Sequence, residues 1–147
     1  MTKRILVVLS EWGYWGEEFV GPYDVLLKAG YQLDFMTAYG RKPPALNPSM
    51  EEGFMDTPLN KSVTDAHFAK RTTDINNSDL LANPISLADQ LPLMPYFNGP
   101  NFGLKLAEYN ELKEEFWKKF VDPYDALLLP GGSGPMADMV NLSLIHI

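Results

Sequence analysis

The sequence predicts an α/β fold with a mainly parallel β-sheet, and two observations carry this prediction. The first forty residues show the pattern of a strand, a helix and a second strand. A third aliphatic run, at residues 126–129, follows a long helical stretch and leads into a glycine-rich turn. Because parallel strands are joined by crossover connections, usually helices, this order of elements indicates a parallel sheet with right-handed crossovers.

The N-terminal unit begins at residues 5–9, a continuous aliphatic run that is typical of a strand buried on both faces. A polar turn then leads into a helix that begins at Glu17, whose apolar residues recur at spacings of three and four. Gly30 is predicted to end this helix as a left-handed cap, and residues 31–39 form the second predicted strand.

Residues 41–101 interrupt this pattern, because they hold 8 of the 12 prolines and show no sustained period. A long irregular stretch inside a compact domain is uncommon and is often a functional insertion or lid. We expect only short helices there, at 62–71 and 78–82.

A clear amphipathic helix returns at residues 102–120, and Pro123 ends it. The strand predicted at 126–129 is expected to be buried, and another helix is predicted to begin at Met136.

Composition limits the possible functions. The chain has 147 residues, a formal charge of −7 and 46% hydrophobic residues, which suits one compact domain. The excess of acidic residues disfavours nucleic-acid binding, and no apolar stretch is long enough to span a membrane. We therefore expect a cytoplasmic protein. The absence of cysteine excludes disulfides, thiolate metal sites and a thiol nucleophile within this chain.

The strongest chemical feature is the glycine-rich turn that follows the third strand, and it contains Gly131 and Gly132. Backbone N–H groups in such a turn, beside a helix N-terminus, suit an anion or a developing oxyanion. A structural turn without any ligand is equally consistent with the glycine spacing. The spacing does not fit a P-loop or a dinucleotide-binding motif, and Pro135 stands where a hydrolase elbow needs glycine.

Glu18 is the second candidate, because it follows the loop after the first strand and is expected at the same edge of the sheet. A carboxylate there can orient or protonate a group held at the glycine turn. The alternative is that Glu18 only complements the helix dipole, a role that Glu17 fills equally well. The residues alone favour this alternative.

No metal or organic cofactor is expected. The two histidines, His67 and His146, lack metal-ligand spacing, and Ser133 lacks a placed base. The three tryptophans are most simply explained as packing residues.

Four stretches, at 5–9, 13–22, 29–31 and 125–134, together resemble the ThiJ/PfpI family of the class I glutamine amidotransferase-like superfamily. The resemblance covers residues 3–140. It is nearest to the branch of heat-shock glyoxalase III and chaperone proteins, which carry a long insertion after the second strand.

The resemblance implies a flavodoxin-like, doubly wound fold and a cysteine nucleophile that an acid, a histidine and an oxyanion loop assist. By position, Glu18 matches the family acid, and Gly131 and Gly132 match the oxyanion loop. Glu18 is thereby preferred over Glu17. Ser133 stands where relatives of this branch often have histidine.

The family's cysteine and histidine would lie beyond the helix that begins at Met136. We therefore expect residues 1–140 to be the N-terminal part of one domain, incomplete at its C-terminus, and 141–147 to be an unrelated or artefactual tail. The parent is expected to act on a small-molecule carbonyl, as a glyoxalase III or deglycase, or as a related cysteine-dependent hydrolase or amidase. The fragment itself is expected to be inactive. The alternative is a non-catalytic, chaperone-like binding module, and a homodimer is compatible with either function.

Overall fold

A computed structural model describes residues 3–139 except 93, 96 and 98. The strands within those residues are β1 (Arg4–Val8), β2 (Gln32–Thr37), β3 (Met55–Asp56), β4 (Lys61–Ser62), β5 (Ile85–Ser86) and β6 (Ala126–Leu128). The α-helices are α1 (Gly16–Lys28), α2 (Ala66–Asn77), α3 (Phe102–Phe116) and α4 (Pro135–Asp138).

The main sheet has the strand order β5-β2-β1-β6, and all its pairs are parallel. Val7 of β1 lies opposite Phe35 of β2 on one side and Leu128 of β6 on the other. The chain moves outward from β1 to β2 and β5, then returns to place β6 on the other side of β1. This arrangement, with helices flanking the sheet, confirms the predicted flavodoxin-like α/β fold.

Strand β1 divides the core into two layers, because its side chains alternate between the two faces of the sheet. Ile5, Val7 and Leu9 pack on the face that carries Phe19 of α1. Leu6 and Val8 pack on the opposite face, in the cluster that contains Phe116 of α3. The prediction that the first strand is buried on both faces is therefore confirmed.

The region 41–101 is more regular than its sequence predicts. It contributes α2, the β3–β4 hairpin, and β5, which extends the main sheet beside β2. Asp65 caps α2 by accepting a hydrogen bond from Phe68 N–H at 2.9 Å, so the helix begins later and runs longer than the predicted 62–71. The helix predicted at 78–82 is wrong, because these residues form turns and bends.

The C-terminal elements agree with the prediction except in the burial of one strand. Helix α3 continues into a turn of π-helix at Trp117–Val121, which confirms the helix predicted at 102–120. Strand β6 was expected to be buried, but no other described strand lies beyond it in the sheet, and Leu127 is 47% exposed. No helix of the described residues is long and apolar enough to cross a membrane. The tail predicted at 141–147 lies outside those residues.

Candidate functional site

The candidate site lies at the carboxyl ends of two adjacent strands, β1 and β6. The strand order reverses between them, because the chain adds β2 and β5 on one side of β1 and then adds β6 on the other side. In open α/β sheets, ligands bind in the crevice that forms at such a switch point. The β1–α1 loop follows the carboxyl end of β1, and the glycine turn follows the carboxyl end of β6.

Two backbone groups of Gly131 join these loops. Gly131 N–H donates a hydrogen bond to Glu18 Oε2 at 2.6 Å, and Gly131 C=O accepts one from Trp15 N–H at 2.8 Å. The structure therefore brings together Glu18 and the glycine turn, which are separated by 113 residues in the chain. A hydrogen bond from a backbone N–H to a carboxylate is charge-assisted and hence stronger than a neutral one.

The two glycines are needed for different reasons. A Cβ atom at Gly131 would lie 2.5 Å from Glu18 Oε2, so a side chain there would displace the carboxylate. Gly132 has a φ of +119°, a backbone conformation that residues with a side chain rarely adopt. Among the described residues, the Gly132 N–H meets no hydrogen-bond acceptor. The Gly131 N–H, in contrast, is already engaged by Glu18.

Glu17 and Glu18 point to different surroundings although they share the first turn of α1. Glu18 contacts the glycine turn, whereas Glu17 lines a cavity of about 420 Å³ together with Glu52 and residues 62–66. The sequence could not separate these two acids, because both are equally placed to complement the helix dipole. Only Glu18 lies where an acid could act on a group held at the turn.

A further carboxylate contacts the β1–α1 loop, and sequence reasoning missed it. Asp138 of α4 accepts a hydrogen bond from Glu11 N–H at 2.8 Å through Oδ2. Its other oxygen, Oδ1, is buried without a hydrogen-bond partner among the described residues. The sequence indicates this pair only weakly, because it shows no more than two polar residues that follow two separate strands.

The other candidates from the sequence lie apart from the glycine turn or lack partners. Ser133 is exposed and forms no hydrogen bond with the described residues, so none of those residues activates it as a base would. His67 packs against the Phe68 ring on α2, and His146 lies outside the described residues. No group of three or more acidic or histidine side chains in the described part of the chain could hold a metal ion.

A family model described as ThiJ/PfpI family-like matches residues 9–147. The chain belongs to this family. A ThiJ/PfpI-like protein is expected to have the flavodoxin-like sheet found here, and the strand order agrees with that expectation. No curated protein matches the chain.

A solved structure, the crystal structure of a protein designated APC35852, supports the fold of this ThiJ/PfpI-like chain. It is similar over 97% of the chain, with 20% sequence identity and a TM-score of 0.50. The chain spans only 48% of that protein's length. The likeness therefore concerns the fold, and the chain corresponds to about half of the longer protein.

Proposed function

We propose that this chain is the N-terminal part of a larger ThiJ/PfpI-like enzyme, and that Glu18 and the Gly131–Gly132 turn are half of its catalytic site. The observation that carries the proposal is the 2.6 Å hydrogen bond from Gly131 N–H to Glu18 Oε2 at the switch point of the sheet. The missing half would supply a cysteine, which this chain lacks. We also propose the cytoplasmic location that is expected from the sequence.

The chemistry that fits this half-site is attack of a thiolate on the electrophilic carbon of a small carbonyl compound. A carbon–sulfur bond would form, and the carbonyl π electrons would move to oxygen, where the Gly132 N–H would donate to the developing charge. Glu18 would hydrogen-bond the thiol and set its protonation. A glyoxalase III or deglycase reaction uses such a step, and a related hydrolase or amidase reaction would use the same groups.

The test compares the 147-residue chain with the protein encoded by the continued reading frame. We expect the purified chain to consume no methylglyoxal and the longer protein to consume it, because only the longer protein would supply a nucleophile. In the longer protein, Glu18→Gln should lower kcat/KM about 100-fold, within the usual range for an acid–base group. Glu17→Gln is the matched control, since it removes an acid from the same helical turn.

Two outcomes would overturn the enzyme proposal. The first is clear methylglyoxal turnover by the pure 147-residue chain, because the nucleophile would then not be a missing cysteine. The second is an equal loss of kcat/KM in the two glutamate variants, because the contact with Gly131 would then not matter for the reaction.

A chaperone-like binding module is the second candidate, and exposed apolar side chains favour it. Phe97, Leu104 and Met136 are each at least 75% exposed. Exposed apolar side chains can bind unfolded clients, but they also promote self-association. Light scattering with a denatured client separates these cases, since suppression of client aggregation by soluble chain supports chaperoning and co-precipitation contradicts it.

A further inference from the structure

A cleft beside the β1–α1 loop has the features of a small-anion site. It has a volume of about 410 Å³ and is lined by Glu11, Trp12, Arg41, Lys42 and Pro44. We call it the Arg41 cleft. The first two residues follow β1 and the other three follow β2, so the cleft opens at the carboxyl edge of the sheet. Ligand sites of open α/β folds lie at this edge.

Glu11 fixes the Arg41 side chain in place. Glu11 Oε2 accepts a hydrogen bond from Arg41 Nε at 2.7 Å, while Oε1 accepts from the N–H groups of Tyr39 at 2.7 Å and Arg41 at 3.1 Å. The Glu11 side chain is only 5% exposed. Burial raises the pKa of Glu11, but these hydrogen bonds outweigh it and leave the pKa below the ordinary value. The carboxylate therefore stays ionised and holds the arginine at neutral pH.

The outer face of the Arg41 guanidinium is left for a ligand. Its two terminal nitrogens form no hydrogen bond with any described residue, and the side chain is 70% exposed. A guanidinium presents parallel N–H groups that match the two oxygens of a carboxylate. Because Glu11 already orients the group, a carboxylate would bind it with little further loss of side-chain freedom.

Two exposed aromatic side chains lie in this region: Trp12 lines the cleft, and Tyr39 lies beneath the Arg41 guanidinium. Trp12 is 70% and Tyr39 is 66% exposed, and the Arg41 guanidinium lies 5.4 Å from the centre of the Tyr39 ring. Lys42 adds a second positive charge, and its ammonium group is anchored on Ser78 C=O at 2.7 Å. A cleft that combines the Arg41 and Lys42 cations with the exposed Trp12 ring, in a chain of net charge −7, fits a ligand that is both anionic and planar.

We propose that the Arg41 cleft binds a small aromatic carboxylate, with the carboxylate on the guanidinium of Arg41 and the ring against Trp12. The volume of the cleft lies within the range of roughly 300–1,000 Å³ that small-molecule sites show. The proposal goes beyond the carbonyl chemistry above, since it uses neither Glu18 nor the glycine turn. A protein that does not turn over carbonyl compounds can therefore still be tested for carboxylate binding, and the reverse also holds.

The experiment is a titration of the 147-residue chain with benzoate. Binding is monitored through the NMR signals of the Trp12 indole N–H and the Tyr39 amide. We expect saturable shifts at both groups. Arg41→Gln should weaken binding about tenfold, as loss of a charge-assisted pair predicts. Trp12→Ala should also weaken it. Lys28→Gln is the control, because it removes one exposed positive charge from the last turn of α1 and should leave the affinity unchanged.

Two further ligands test the two parts of the proposal. Benzamide keeps the ring but has no charge, and cyclohexanecarboxylate keeps the charge but has no aromatic face, so both should bind more weakly than benzoate. Equal binding of benzamide, or unchanged affinity in a folded Arg41→Gln variant, would overturn the carboxylate site. Equal binding of cyclohexanecarboxylate would overturn the role of the aromatic side chains.

Discussion

The ring and the hydroxyl of Tyr14 have opposite effects on the stability of the fold. Its ring packs edge-on against Phe19, with centroids 5.3 Å apart, and none of its surface is exposed. Its hydroxyl is buried and has no hydrogen-bond partner among the described residues. Burial raises the pKa of this phenol above its ordinary value, so the group stays protonated. The ring therefore stabilises the core, whereas the hydroxyl has lost its water without replacement.

Tyr14→Phe should raise the free energy of unfolding by about 1 kcal/mol, because it removes an unpaired polar group and keeps the ring. Urea unfolding at neutral pH measures this change. Tyr23→Phe is the matched control, since Tyr23 belongs to the same cluster but retains 8% exposure. We expect the control to change stability by less than about 0.5 kcal/mol. A lower stability for Tyr14→Phe would mean that the hydroxyl has a partner.

At the residue scale, the sequence predicted that Glu18 and the glycine turn lie at the same edge of the sheet. It did not predict which atoms form hydrogen bonds there. The resemblance selected Glu18 and the glycine turn, and the structure places Glu18 on Gly131. Nothing in the sequence indicated that Glu11 would be buried between Tyr39 and Arg41. This contact joins residues about thirty positions apart, and local patterns carry no information on such pairings.

Among the elements, a bidentate ion pair joins α2 to α1. Arg71 Nη2 donates to Asp24 Oδ1 at 2.6 Å, and Arg71 Nε donates to Asp24 Oδ2 at 2.9 Å. The hydrogen bonds from Arg71 lower the pKa of Asp24 more than burial raises it. The two helices approach closely nearby, since a Cβ at Gly16 would overlap the Thr72 side chain.

The Asp24 pair predicts a loss of stability in acid. Because the pKa of Asp24 is lower in the folded chain, the pair stabilises the fold above the unfolded value of roughly 4 and is lost as pH falls through the folded value. Asp24→Asn should therefore flatten the dependence of stability on pH between 5 and 2, measured by urea unfolding. Asp74→Asn is the control, because Asp74 is 51% exposed and pairs only within α2. Equal slopes in wild type and Asp24→Asn would contradict the prediction.

The elements that the sequence predicted well are those with strong periodic patterns. Strand β1 and helices α1 and α3 have long apolar runs or stripes, and each was located to within a few residues. Strand β5 has only two residues, Ile85–Ser86, and exists because β2 offers it a backbone edge. Such a strand leaves no periodic signal, so the sequence could not reveal it within the proline-rich region 41–101.

At the scale of the whole molecule, the last of the described strands in the main sheet has apolar, exposed side chains. Strand β6 pairs with β1 on one side, and no other described strand pairs with its outer side. An aliphatic run predicts a buried strand, but burial depends on neighbours that the local sequence cannot supply. Leu127 and Leu129 are 47% and 48% exposed, and an unpaired apolar edge is a template for association with another chain.

Leu127→Lys should therefore raise the protein concentration at which the 147-residue chain begins to associate, because an inserted charge blocks pairing at a strand edge. Sedimentation velocity and light scattering over a concentration series measure this onset. Val25→Lys is the matched control, since Val25 is 67% exposed on helix α1 and the substitution adds the same charge away from any strand edge. If the edge drives association, Leu127→Lys will delay the onset well beyond Val25→Lys. An equal delay in both variants would instead assign the effect to net charge alone, and β6 would then not be the surface through which copies of the chain associate.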